Sequence, residues 1–117
     1  MVAGARYTVS ITAGAEADLD EIVEHVAAHD SPLKAAALLE RVLAVAEGLA
    51  IEPHRHPWPR ELSDLGIRSY RQTWYKPYRL IYTVSDAPKH EVFILLIADG
   101  RRDMRTLLER RLLRSGA

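Results

Sequence analysis

The 117-residue chain has the length of one domain, and its 48% hydrophobic and 27% charged residues are typical of a folded globular protein. It contains no cysteine, which excludes a disulfide scaffold, a cysteine-ligated zinc site and a thiol nucleophile, and is compatible with a reducing compartment. No stretch approaches the roughly 20 apolar residues of a membrane span, and residues 1–7 lack the apolar run of a signal peptide. We therefore expect a cytoplasmic protein with a single domain over residues 1–117 and no membrane partner.

Charge is distributed unevenly, although 16 basic and 16 acidic residues cancel over the whole chain. Residues 1–53 hold 3 basic and 9 acidic residues, a net charge of −6, whereas residues 54–117 hold 13 basic and 7 acidic residues, a net charge of +6. Most of the basic residues are arginine, which binds carboxylates and phosphates through two parallel hydrogen bonds. Two interpretations stay open: the basic half binds an anionic partner, or the two halves neutralise each other within the fold.

The N-terminal half predicts one strand and two helices. Residues 6–11 alternate between apolar and polar side chains, which is typical of a half-buried strand. Thr12 can cap a first helix, whose acidic residues, Asp18 among them, are assigned to its outer face. Ser31 and Pro32 mark the start of a second helix that runs to about residue 50. Two helices joined this closely predict an antiparallel hairpin.

The C-terminal half predicts a loop, three strands and a last helix. Prolines within residues 52–66 predict an irregular loop, and residues 67–74, 78–84 and 92–98 predict an antiparallel meander. The last strand is apolar on both faces and is therefore expected at the centre of the sheet. We expect Gly100 to permit a tight, left-handed turn and Asp103 to cap the final helix. The fold class is α+β, with the order β-α-α-β-β-β-α, an antiparallel sheet, and the N-terminal helical hairpin packed on one face.

Three segments of this layout resemble the ParE/RelE superfamily of toxins from bacterial type II toxin–antitoxin systems. They are the strand Tyr78-Arg79-Leu80-Ile81-Tyr82, the last strand from Val92 to Ile97 running into Asp99-Gly100-Arg101-Arg102-Asp103, and the first-helix segment Ala17-Asp18-Leu19-Asp20-Glu21-Ile22. The Arg-Arg-Asp ending and the helical hairpin are closer to the ParE branch. The resemblance implies a plasmid-stabilisation type of toxin that a cognate antitoxin neutralises by forming a hetero-oligomer with it.

The two branches of this superfamily imply different activities. The RelE branch cuts messenger RNA on the ribosome, whereas the ParE branch is associated with inhibition of DNA gyrase. RelE-like nucleases work without a metal, through basic residues on the middle strands and at the end of the last strand, and a tyrosine in the C-terminal helix. By this resemblance Arg71, Arg79 and Arg102 keep the cationic positions, whereas Thr73 and Leu108 stand where a lysine and the tyrosine are expected.

These two replacements weaken the nuclease interpretation. Arginine has a pKa above 12, so the three remaining residues can hold a phosphate but are poor proton shuttles. We therefore favour a ParE-like toxin that binds DNA gyrase and uses no cofactor or metal. The alternatives are a RelE-like endoribonuclease that acts on the ribosome and messenger RNA, with Tyr70 or His90 as a different acid–base group, and a non-toxic relative that only binds an antitoxin.

Arginines near the end of the last strand are the predicted target-binding residues. We expect four of them to face one rim: Arg79, Arg101, Arg102 and Arg105. A structural alternative pairs Arg79 or Arg102 with Glu61 or Asp103. The antitoxin is expected to fill an apolar groove between the helical hairpin and the edge of the sheet, since small sheets leave edges to be covered.

The histidines and tryptophans allow further interpretations. His25 and His29 have a spacing that suits a metal, but spacing fixes no third ligand, so a solvated helix face is favoured. Trp58 and Trp74 can either stack on bases or anchor the loop and the core, and the second role is favoured.

Overall fold

The computed structural model describes residues 4–114, with Arg114 described by its backbone. Its helices and strands follow the predicted order, with two short helical elements added in the segment predicted to be a loop. The elements are β1 (Thr8–Ile11), α1 (Ala13–His29), α2 (Pro32–Gly48), a 3-10 turn (Pro53–Arg55), α3 (Arg60–Ser63), β2 (Arg71–Tyr75), β3 (Tyr78–Ser85), β4 (Glu91–Asp99), α4 (Met104–Leu108) and a π-helical segment (Glu109–Arg114).

The predicted helix caps are present. Thr12, Ser31 and Asp103 each accept a hydrogen bond from the backbone amide three residues further on, at 3.3, 3.0 and 3.1 Å. Each bond satisfies an amide that the first turn of a helix leaves without a partner. These side chains therefore fix where α1, α2 and α4 begin.

The four strands lie in the order β1-β4-β3-β2, so β4 is central, as its apolar sequence predicted. β4, β3 and β2 form the expected antiparallel meander, but β1 pairs with β4 in parallel, from Thr8 opposite Glu91 to Ile11 opposite Ile94. The expectation of a wholly antiparallel sheet is thus wrong for its first strand. A long connection that carries its own helices lets two strands run in the same direction, and alternation within one strand does not reveal its neighbour's direction.

Hydrophobic cores cover both faces of the sheet. On the hairpin face, α1 and α2 pack over β4 and β3 around buried residues such as Leu19, Val42 and Tyr82. On the opposite face, α3 and α4 pack over Ile81 and Leu96. β4 supplies side chains to both cores, which is why its sequence is apolar throughout.

The segment between α2 and β2 differs from its prediction in two places. Pro53 begins the 3-10 turn and Pro59 directly precedes α3, so proline starts helical structure here rather than forbidding it. β2 begins at Arg71 and not at residue 67. The Ile67 amide instead bonds to the Leu62 carbonyl at 2.9 Å, which closes the turn after α3.

Candidate target-binding and antitoxin-binding surfaces

Arg79 of β3 is buried in an ion pair on the face of the sheet opposite the hairpin. Its Nη1 and Nη2 donate to Oε2 and Oε1 of Glu61 at 2.8 and 2.9 Å, and its Nε donates to Oε1 of Gln72 at 2.8 Å. The guanidinium lies 5.4 Å from the centre of the Trp74 ring. The hydrogen bonds from Arg79 lower the pKa of the Glu61 carboxyl. Of the two roles predicted for Arg79, the ion pair with Glu61 is the one that this geometry describes.

Gly100 is required for close packing rather than for an unusual backbone angle. Glycines with positive φ in residues 4–114 are Gly4 and Gly66, so the predicted left-handed turn at Gly100 is wrong. A Cβ atom at Gly100 would lie 2.8 Å from the Trp74 ring and 2.9 Å from Cδ of Arg79. The chain passes so close to these two side chains that any larger residue would collide with them.

Beyond Gly100 the chain presents three exposed arginines, Arg101, Arg102 and Arg105, which we call the arginine rim. Arg101 turns back to Asp99, with its Nε and Nη2 donating to the two carboxylate oxygens at 2.9 and 2.6 Å. These hydrogen bonds lower the pKa of Asp99 to about 2. Arg101 therefore stays exposed, with 79% of its side chain accessible, while it holds the end of β4.

Arg102 does not take the structural role that the sequence left open. Its two predicted partners are engaged elsewhere in the part of the chain described, because Glu61 binds Arg79 and Asp103 accepts from the amide and hydroxyl of Thr106. Arg102 instead lines a groove on the hairpin face. Arg79 lies on the opposite face, so these two arginines do not share a rim.

The groove beside Arg102 runs between α1 and the C-terminal half of β4 and has a volume of about 320 Å³. β1 pairs with β4 over residues 91–94, so from residue 95 onward β4 has no strand on this side. The groove is lined by Asp18, Glu21, Ile22, His25, Tyr78, Ile97, Ala98, Asp99 and Arg102.

A second groove, the edge groove, lies between α2 and the open edge of β1, and its volume is about 170 Å³. Leu43 of α2 is 38% exposed beside it. The groove is lined by Val9, Ile11, Leu43, Ala46 and Glu47. It lies between the helical hairpin and an edge of the sheet, the location predicted from the sequence for an apolar antitoxin groove.

The three arginines matched to nuclease positions do not come together. Arg71 stands opposite Tyr82 in the β2–β3 ladder, and Arg79 stands opposite Trp74. Directly paired residues share a face and neighbouring residues alternate, so Arg71 projects from the hairpin face and Arg79 from the other.

The candidate acid–base groups do not lie beside these arginines as a set. His90 precedes β4 and is roughly 30 Å of strand away from Arg102, and Tyr70 packs against the second core.

The comparisons with known proteins agree with this architecture. A family model for the ParE toxin of the type II toxin–antitoxin system parDE matches residues 9–104. This match covers most of the chain. The chain belongs to the ParE toxin family.

Solved structures give a consistent result. The ParE-family fold found here is similar to that of a chain from a chromosomal ParDE toxin–antitoxin system of P. aeruginosa, with 19% identity and a TM-score of 0.67, covering 82% of this chain and 98% of that one. It is also similar to a chain of the RelBE2 toxin–antitoxin complex from Mycobacterium tuberculosis, with 28% identity and a TM-score of 0.58, covering 82% and 93%. Curated protein sequences give no match.

An ion pair that was not predicted from the sequence attaches the C-terminal segment of this ParE-family toxin to α1. Arg111 donates from Nη2 and Nη1 to the two oxygens of Asp18 at 2.9 and 3.0 Å, and Nη1 also donates to the Leu95 carbonyl at 3.0 Å. Asp18 in turn accepts from the Ile97 amide at 3.0 Å. The assignment of Asp18 to the outer face of α1 is therefore wrong. In the sequence, the only sign of a structural role for Asp18 was the resemblance of residues 17–22 to the first helix of the family.

The second tyrosine of the Tyr-Arg strand motif also has a structural role. Tyr82 is fully buried, and its hydroxyl donates to the Pro53 carbonyl at 2.6 Å. Burial raises the pKa of this phenol. Tyr82 thus attaches the 3-10 turn to the sheet, as Arg79 attaches α3 through Glu61.

His25 and His29 of α1 stack on each other with ring centres 4.1 Å apart, and both side chains are exposed. Within residues 4–114, no three histidine, aspartate or glutamate side chains are arranged around a metal position. No helix in that range is long and apolar enough to cross a membrane.

Proposed function

We propose that this chain inhibits DNA gyrase by binding to it through the arginine rim, and that a cognate antitoxin neutralises it. The family supports a type II toxin, and the exposed arginines supply the surface. Arginine is enriched among the residues that dominate protein–protein affinity. DNA gyrase is a cytoplasmic enzyme, so the proposal implies a cytoplasmic toxin.

One observation favours binding over RelE-type cleavage. Cleavage of RNA without a metal needs cations, an acid and a base around one phosphate. Arg71 and Arg79 project from opposite faces of the sheet, and Arg79 is already bonded to Glu61. Leu108, which stands at the tyrosine position, is fully buried in the second core. The residues matched to the nuclease therefore do not surround one substrate.

The edge groove supports the antitoxin part of the proposal. It joins an open strand edge to the apolar side of α2, and such a surface suits an amphipathic helix or an added strand. Val9, Ile11 and Leu43 provide the apolar contact. Covering the edge of β1 would also protect it from pairing with other chains.

The target is tested by expressing the toxin without antitoxin in cells and by adding purified toxin to a gyrase supercoiling assay. We expect filamentation and DNA-damage signalling while translation continues, and inhibition of supercoiling in vitro. Arg102→Ala should abolish both effects. Arg41→Ala is the matched control, because Arg41 is also exposed but lies on α2, and this variant should remain fully toxic.

Two results would contradict the gyrase proposal. One is a set of codon-phased cuts in ribosome-bound messages, detected by primer extension, which would favour RelE-type cleavage. The other is an Arg102→Ala protein that inhibits gyrase as well as the unmodified chain does, which would reject the arginine rim as the contact surface.

The antitoxin surface is tested by thermal unfolding with saturating antitoxin. Binding to the folded state raises the melting temperature by mass action. We expect this rise to be largely lost in Leu43→Asp and kept in Leu33→Asp. Leu33 is on the same helix and 82% exposed, but it does not line the edge groove. Equal rises in both variants would place the antitoxin elsewhere.

A further inference from the structure

A polar recess lies at the end of the sheet where β3 extends past the start of β2, away from the arginine rim. Its volume is about 310 Å³, and it is lined by His54, Arg68, Ser69, Arg71, Thr83 and Val84. The lining residues come from the 3-10 turn after α2, the loop before β2, the first residue of β2, and the last part of β3. The recess is distinct from both grooves described above.

The two arginines of the recess are held in place before any ligand arrives. Arg71 donates from Nη1 to the His56 carbonyl at 2.7 Å, and its guanidinium lies 5.4 Å from the centre of the Trp58 ring. Arg68 lies 5.0 Å from the same ring. Trp58 thus positions both guanidinium groups, and a preorganised donor loses less entropy when it binds a ligand.

The hydroxyl and imidazole groups of the recess are fixed as well. Thr83 donates from its hydroxyl to the Ser69 carbonyl at 3.0 Å, which holds the loop before β2 against β3. His54 is held by Asp86, with Nε2 at 2.9 Å from Oδ2. Ser69 also lines the recess and is exposed, and a serine hydroxyl can donate a hydrogen bond to a ligand.

The positive charge of the recess is not neutralised within the described part of the chain. The ion pairs found there involve neither Arg68 nor Arg71. Asp86 contacts the lining through His54, and it already accepts a hydrogen bond of 2.5 Å from the Tyr7 hydroxyl. Burial lowers the pKa of His56, and the positive charges of Arg55 and Arg71 lower it further, so Arg55 adds positive charge nearby. An anion is therefore the complementary ligand.

We propose that this recess binds a phosphate group, either free or within a nucleic-acid strand. Two fixed guanidinium groups and a hydroxyl offer more donors than a single carboxylate can accept, and they suit the several oxygens of a phosphate. The Trp58 ring is engaged by the guanidinium groups, so it positions cations rather than stacking on a base. This site does not depend on the gyrase proposal, since it uses none of the residues of the arginine rim.

The test uses the full-length chain with three probes: inorganic phosphate, a fluorescent ten-nucleotide oligothymidine, and a polyglutamate peptide. Phosphate binding is followed by NMR on the Ser69 and Arg71 amides and the Trp58 indole, and strand binding by fluorescence anisotropy. We expect Arg68→Gln to weaken binding of the phosphate probes at least fivefold, and Arg41→Gln to leave it unchanged. Arg68 is exposed, so its variant should keep the fold, which the NMR spectrum reports directly.

The three probes distinguish the possible outcomes. For a phosphate within nucleic acid, we expect the strand to bind. We also expect the slope of log binding constant against log salt concentration to be smaller in magnitude by about 0.7 in Arg68→Gln. Binding of inorganic phosphate alone, lost in the same variant, supports a free phosphate. Polyglutamate binding as tightly as the strand with the same dependence on Arg68 would overturn the proposal, and so would unchanged phosphate binding in both Arg68→Gln and Arg71→Gln.

Discussion

Arg79 and Arg102 belong to the two arginine-containing motifs that resemble the family, yet they lie in opposite environments. Arg79 is 5% exposed and bonded to Glu61 and Gln72, whereas Arg102 is exposed beside the α1–β4 groove. Gly100 separates these two regions, because it lies against Trp74 and Arg79 on one side and leads into the arginine rim on the other. Two similar arginine motifs therefore occupy different environments, one buried in an ion pair and the other exposed to solvent.

The largest effect is expected from breaking the buried ion pair. Arg79→Met leaves the Glu61 carboxylate partly buried without its partner, so the free energy of unfolding should fall by about 3 kcal/mol or more. Urea denaturation measures this loss. The double variant with Glu61→Met should recover much of it, because no unpaired charge remains. If the single variant were as stable as the original chain, the ion pair would not hold α3 to the sheet.

A smaller loss is expected where the two regions meet. Gly100→Ala places a methyl group within 3 Å of Trp74 and Arg79, and such overpacking should lower the free energy of unfolding by about 1–3 kcal/mol. Gly48→Ala is the matched control, because a Cβ there meets no atom within 4 Å, and it should leave stability unchanged or raise it by up to about 1 kcal/mol. Equal effects in thermal scans would contradict the close-packing role of Gly100.

Low pH should remove a contribution to the free energy of unfolding that comes from Asp99 at the end of β4. The pKa of Asp99 is lowered to about 2 in the folded chain, so its contribution to stability is present above about pH 4 and is lost as pH falls through about 2. Denaturation curves measured over this range should show Asp99→Asn less stable than the original chain at pH 6, with the difference vanishing near pH 2. A difference that stays constant with pH would exclude the Arg101 contact as its source.

The smallest change in stability is expected in the arginine rim itself. Arg102→Ala and Arg105→Ala remove exposed side chains, so each should alter the free energy of unfolding by less than about 0.5 kcal/mol. The same denaturation measurement used for Arg79→Met provides the comparison. A loss above 1 kcal/mol in Arg102→Ala would assign Arg102 a structural role like that of Arg79.

Local sequence signals predicted most of the fold. The three helix caps and the central position of β4 follow from side-chain chemistry and from apolar patterning, and all of them are present. The parallel pairing of β1 could not be predicted, because period-two alternation says which face is buried but not which way the neighbouring strand runs.

The candidate site was harder to predict than the fold. The sequence shows Arg79 and Arg102 as similar members of a cluster, and their burial depends on which partners the tertiary structure brings near. Glu61 lies 18 residues from Arg79, and Asp18 lies 93 residues from Arg111. Pairs so distant in the chain leave no periodic signal in the sequence. The sequence therefore does not distinguish an arginine that is buried in an ion pair from one that is exposed on the surface.

The pairing of β1 with β4 has a consequence for how this toxin is made. β1 ends at Ile11 and β4 begins at Glu91, so the ribosome synthesises β1 well before the strand that must lie beside it. The central strand β4 is thus synthesised after the other three strands of this sheet, and pairings so distant in sequence form slowly. The nascent chain therefore cannot complete this sheet until β4 has left the ribosome, which leaves an interval in which a partner protein can meet a chain that has not yet folded.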